Sequence, residues 1–160
     1  VYHSEVMRKM HYGIAFHISQ ENSNMLWDVL ACLPLWQYTW YPISEQIEAW
    51  NTKTKERLFA QCSYNGEAFL QHISVPQYLI FLKLQAYFPQ EPFEDIHTWE
   101  QWEASSCQLL LLLYDCEHVE VYAKDASQIA AIYQSCCKHQ ISSAAFIQKE
   151  TFGRTSIDVL

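Results

Sequence analysis

The sequence predicts one α+β domain, with a mixed or mostly antiparallel sheet and about three to four helices packed against it. Three observations predict it. Residues 12–18 alternate apolar and polar side chains, as a half-buried strand does. Two nearly continuous apolar runs, 78–88 and 107–114, suit central strands, and residues 125–137 carry an apolar stripe of helical period. A chain of 160 residues, 50% hydrophobic and 15% aromatic, is the size of a single domain and can bury a substantial core. Residues 7–160 are read as that domain, and 1–6 as an expression remnant or a disordered extension.

Each element has a local cause. In the first strand Tyr12, Ile14, Phe16 and Ile18 share a face, which leaves His17 on the polar side. A helix follows, capped at Asn22 or Ser23, with Met25, Leu26, Val29, Leu30 and Leu33 at helical spacing and Pro34 as its stop. Residues 35–43 read as extended, with Trp36, Tyr38 and Trp40 on one face; 47–50 read as a partner strand and 51–57 as a polar turn. Asn65 caps a short helix carrying Phe69, Leu70 and Ile73, closed by Pro76.

In the run 78–88, alternation from Lys83 onward turns Lys83 and Gln85 away from Leu82 and Leu84. Residues 89–103 hold Glu91, Glu94, Asp95, Glu100 and Glu103 without one Lys or Arg. Thr98 with Gln101 three positions later has the capping-box spacing, which opens a helix bearing Trp99 and Trp102. Residues 115–117 turn the chain into a hairpin strand with Val119 and Val121 inward. Asp125 caps the last helix, whose stripe is Ile129, Ile132, Tyr133, Cys136 and Cys137. Residues 144–149 and 155–160 read as two further strands around Gly153.

Three segments carry a resemblance: HYGIAFHIS at 11–19, YLIFLKLQAYF at 78–88, and above all CQLLLLLYDCEHVEVYAKD at 107–125. Together they resemble a family of small proteins from spore-forming Gram-positive bacteria, catalogued as a domain of unknown function. The similarity runs from about residue 10 to 160, nearly the whole chain. It implies a cytosolic bacterial protein of one domain, and it supplies no activity, ligand or catalytic residue.

Composition and motifs exclude several classes. The net charge of −8 argues against a nucleic-acid-binding surface. No apolar run of 18 residues is present for a membrane-spanning helix. Three glycines, at 13, 66 and 153, build neither a phosphate-binding loop nor a dinucleotide fingerprint. The six cysteines are read as reduced thiols in the cytoplasm, since a core of this size needs no staples and no export signal accompanies them.

The residues support a non-catalytic binding module, with no cofactor, no metal and no catalytic residue assigned. Its partner is a protein or small molecule of basic or apolar character, and a homo-oligomer is compatible with the reading. The candidate site is the acidic, tryptophan-bearing segment with Glu94, Asp95, Trp99, Glu100, Trp102 and Glu103, joined by Trp36 and Trp40 of the aromatic stripe. Two alternatives stand beside it. One is a thiol enzyme using Cys116 or Cys62 with His118 or His17. The other is a metal-binding module on Cys116, Glu117 and His118, joined by Cys107 or His139.

Overall fold

A computed structural model describes residues 13–21, 24–148 and 156–160. In chain order the elements are β1 (Gly13–His17), α1 (Met25–Leu30), a 3₁₀ turn (Leu35–Gln37), β2 (Thr39–Asn51) and α2 (Gly66–Ile73). They continue with β3 (Gln77–Tyr87), α3 (Trp99–Ala104), β4 (Leu109–Tyr114), β5 (His118–Ala123), α4 (Ala126–Lys138) and β6 (Ala145–Ile147). The strands form one sheet in the order β2-β3-β4-β5-β1-β6, and every neighbouring pair is antiparallel. The α+β class with a mostly antiparallel sheet is therefore the observed one.

The side-chain period of a strand divides this sheet into two buried faces. Leu109, Leu111 and Leu113 of β4 point into one cluster with Phe16, Val121, Leu30, Phe69 and Ile132, which is the layer of α1, α2 and α4. Leu110 and Leu112 point the other way, toward Tyr87, Tyr122, Ile96, Trp99, Trp102 and Ile157. Residues 89–106 thus lie over the second face as a lid, with segment 156–160 beside it. Two irregularities set these directions. Glu48 pairs with Phe81 and Ala49 with Leu79, so Ile80 is an extra residue that lets Leu79 and Leu82 both face the helices. Between Pro42 and Ile47 the register also breaks, and Gln46 reaches the lid side there.

β2 is an edge strand, which is why Pro42 is tolerated inside it. Its outer groups are partly covered: Trp40 and Tyr64 exchange backbone bonds of 2.8 and 2.9 Å, and Leu58 N donates to Ala49 O. Gly13 faces Tyr122 across β1 and β5, and a β-carbon there would sit 2.5 Å from Val121 O. The strands meet this closely because Gly13 has none.

Several expectations change. Residues 35–43 do not run extended throughout. The 3₁₀ turn breaks the alternation, so Trp36 is 70% exposed while Tyr38 and Trp40 are buried. Residues 39–51 form one irregular strand where two separate ones were expected. Among the described residues, segment 156–160 forms no strand, and Ser156 bridges to Thr98. The expected caps Asn22 and Ser23, the boundary at 1–6, Tyr12 and Gly153 lie outside the described residues.

Candidate functional site

The acidic segment is held down by its own apolar residues and by polar side chains rising from the sheet. Thr98 Oγ1 accepts from Gln101 N, and Gln101 Oε1 accepts from Thr98 N, so the capping box is formed as its spacing predicts. Helical geometry then places Trp99 and Trp102 on the inner side, 8% and 3% exposed, and leaves Glu100 and Glu103 facing solvent. The indoles lie 4.9 Å apart, with Tyr122 at 5.4 Å from Trp99 and 6.3 Å from Trp102.

Beneath the preceding extended stretch, the buried polar groups of β3 find their partners in the lid backbone. Gln85 Nε2 and the Tyr87 hydroxyl donate to Glu94 O at 2.9 and 3.0 Å. The Lys83 ammonium, on a side chain 1% exposed, donates to Ile96 O and, at 2.7 Å, to Asp158 Oδ1. Gln46 Nε2 donates to the same carboxylate at 2.7 Å, and His97 Nδ1 lies 3.0 Å from Asp158 Oδ2. Burial pulls the Asp158 carboxyl upward, but the bonds from Lys83, Gln46 and His97 outweigh it and hold it below the ordinary carboxylate value. Asp158 and then Asp95, 2.9 Å from His97 Nε2, raise the His97 imidazole above its ordinary value.

The predicted site residues therefore separate. Trp40 is wholly buried and stacked on Phe69 at 4.1 Å. Trp99 and Trp102 are lid packing rather than exposed anchors. Trp36 is exposed, but it adjoins α2 in the helix layer, on the sheet face away from the lid. Glu94 is half-buried, its Oε2 accepting from Ser106 N and Oγ at 2.8 and 3.0 Å. Asp95, Glu100 and Glu103 remain at the surface. Sequence reasoning missed Phe93, 41% exposed and resting 4.9 Å from Tyr41, because a lone Phe in a polar stretch carries no periodicity. At the foot of α3, Lys124 Nζ donates to Ser105 O and sits 4.7 Å over the Trp102 ring; burial lowers its pKa.

The two candidate thiols lie apart from the described histidines' hydrogen bonds. Among the described residues, neither Cys62 nor Cys116 is hydrogen-bonded to an imidazole; His72 bonds Ala68 O and His118 bonds His17. Cys116 lies in the β4–β5 turn beside Tyr78, whose phenol it pushes above its ordinary pKa. Burial pushes Cys107 and Cys136 up to about 11. The α1–α4 groove, about 540 Å³, contains Cys32 and His139, and there too burial raises the thiol. Alkylation at neutral pH is expected to label Cys62 and Cys137, which are exposed, and to spare Cys107 and Cys136 until the protein unfolds. Mass-mapped labelling checks this, and early modification of Cys107 would contradict the packing. The metal constellation also shifts: Glu117 and His118 converge with His17, not with Cys116, Cys107 or His139.

Fold and site together define a small α+β protein with an antiparallel sheet covered on both faces and an acidic lid over one of them. The chain belongs to the family described as "Protein of unknown function (DUF2691)", whose model matches residues 11–158. It is similar to "Uncharacterized protein YncE" of Bacillus subtilis (strain 168), 29% identical over 153 residues that cover 94% of this chain and all of that one. No solved structure matches it. No described helix is long and apolar enough to cross a membrane.

Proposed function

We propose that the protein acts by binding, without a covalent step, and that the lid is its docking face for a basic segment of a protein partner in the bacterial cytoplasm. The observation that carries this reading is the Phe93 ring, 41% exposed and braced by Tyr41, in a stretch whose neighbours Glu91, Asp95, Glu100 and Glu103 are acidic. An apolar anchor ringed by like charge suits a partner that brings Lys or Arg around a hydrophobic residue. The face is pre-organised, since Lys83, Gln85 and Tyr87 tie its backbone to the sheet and little ordering remains to be done on binding. The six free thiols support the cytoplasmic setting.

The test uses the full chain as bait in Bacillus subtilis lysate, beside the variant Glu91→Lys/Glu100→Lys/Glu103→Lys and the variant Phe93→Ala. A basic protein retained by the parent, released by salt, and lost from both variants is the expected result. Glu100 and Glu103 are exposed and Glu91 is half-buried, so the charge variant should melt close to the parent. Phe93→Ala gives up the contact with Tyr41 and is used at a temperature where its melting curve shows it folded. A retained set identical in all three baits overturns the proposal.

A further inference from the structure

We infer that His17, Glu117 and His118 form a binding site for a divalent transition-metal ion such as Zn²⁺ or Ni²⁺. The three residues each offer one ligand atom, and these atoms lie within 4.8 Å of one another. The site is independent of the lid and lies at the end of the β1–β5 ladder.

Backbone pairing creates the convergence. His17 and His118 are directly opposite across antiparallel strands. The next bond along, Ile18 N to Glu117 O at 2.8 Å, makes them a non-hydrogen-bonded pair, the arrangement that brings facing side chains closest. His17 N instead points to the other neighbour and donates to Ser143 Oγ at 2.9 Å. The rings stand edge to face at 4.4 Å, with His118 Nδ1 3.0 Å from His17 Nε2. Glu117 Oε1 is 3.5 Å from His118 Nε2.

The mounting is firm although the ligands are accessible. The turn holds Asp115 and Cys116 in left-handed backbone, φ 53° and 64°. Gln20 Nε2 donates to Cys116 O at 2.7 Å, and Cys116 N donates to Ile80 O at 3.0 Å. Tyr114 stacks on His118 at 5.2 Å and limits its rotation.

The donor set selects the class of ion. Bonds of about 2.0–2.2 Å at tetrahedral angles need donor atoms about 3.4 Å apart. The 3.0 and 3.5 Å contacts use opposite nitrogens of His118. With one donor atom from each residue the three lie within 4.8 Å of one another, so rotation of these side chains must close the longest separation by about 1.4 Å. Two imidazoles and one carboxylate suit borderline metals, whereas Ca²⁺ and Mg²⁺ prefer oxygen alone. His17 and Glu117 are exposed and His118 is half-buried, which leaves further coordination positions to water or to a group from outside the chain.

The experiment titrates chelator-stripped full-length protein with zinc chloride at neutral pH, following the histidine ring resonances together with calorimetry. Saturation at one ion per chain, with the His17 and His118 signals moving together, is expected. His17→Gln and His118→Gln should each weaken binding at least tenfold. Glu117→Gln should weaken it less while keeping both rings. His118 is the one of the three that packs against Tyr114, and unchanged melting of the metal-free variants verifies the fold. Nickel titration of a Cys32→Ser/Cys62→Ser/Cys137→Ser variant excludes the exposed thiols as the ligands. Binding that survives both histidine variants, or zinc that leaves the two ring signals unmoved, overturns the inference.

Discussion

Truncating Asp158 to Ala is expected to lower the unfolding free energy by about 3–5 kcal/mol, the scale seen when one member of a buried ion pair is removed. The penalty falls on Lys83. Its ammonium sits on a side chain 1% exposed and would keep only the Ile96 carbonyl among the bonds described. Lys83→Met removes that charge and keeps most of the volume, so it should cost less, about 1–2 kcal/mol, chiefly for the abandoned carbonyl. The double variant should then be more stable than Asp158→Ala alone, because the stranded cation is gone. Urea unfolding of the three proteins checks this; strictly additive losses would mean that the two groups are not coupled.

The same cluster gives the fold a pH window. Asp158 is held below its ordinary pKa, so its contribution is complete above the unfolded value of about 4 and is lost as pH falls through the lower folded value. His97 is held above its ordinary pKa, so its contribution is complete below about 6.5 and fades as pH rises through the higher folded value. Segment 156–160 should therefore be held most firmly between those limits. Its His97 component is modest, because that ring is 47% exposed and solvent screens it. Removing the Asp158 carboxylate should flatten both limbs.

Much of the fold is legible wherever a local rule decides. Asn65 Oδ1 accepts from Ala68 N at 2.8 Å and Asp125 Oδ1 from Ser127 N at 2.9 Å, as helix-cap sequences require. The outward turn of Lys83 and Gln85 is legible as well. Their burial is not, because alternation tells which side of a sheet a residue faces and says nothing about what covers that side. Gln128 shows the same limit. Its place three residues after Asp125 suggests a capping box, yet its Nε2 donates to the Tyr38 hydroxyl 90 residues away.

The candidate site divides along the same line. The acidic run and the helix start are sequence-local, so the lid's charge is visible in the letters. The tryptophans are ambiguous there: Trp99 and Trp102 one turn apart fit an exposed pair and a buried pair equally well. Only contact with Tyr122, from a strand beyond the intervening β4, decides for burial. His17 and His118 are separated by 101 positions and meet through the β1–β5 register, for which neither residue carries a signal. At Trp36 one 3₁₀ turn reverses an alternation that otherwise continues through Tyr38 and Trp40.

Replacing Trp102 by Ala is expected to cost about 3–5 kcal/mol, and Trp99→Ala about as much, since each removes a buried aromatic from a packed layer. The six residues of α3 are too few to be helical on their own, and the capping box adds only about 1 kcal/mol. The indoles are what attach this helix to Leu110, Leu112 and Tyr122. Their loss should loosen the lid before it unfolds the sheet: amides of residues 94–106 should exchange faster, while those of β4 and β5 stay protected. A Trp102→Phe variant retains an aromatic ring at the site and should recover much of the loss. Should Trp102→Ala instead keep full stability and slow exchange across 94–106, the lid would be anchored by its polar bonds alone. The distinction also governs how docking must be probed. A tryptophan variant displaces the acidic face together with its support, so lost binding would not locate the contact. Charge reversal at Glu91, Glu100 and Glu103 leaves the buried layer intact and tests the surface by itself.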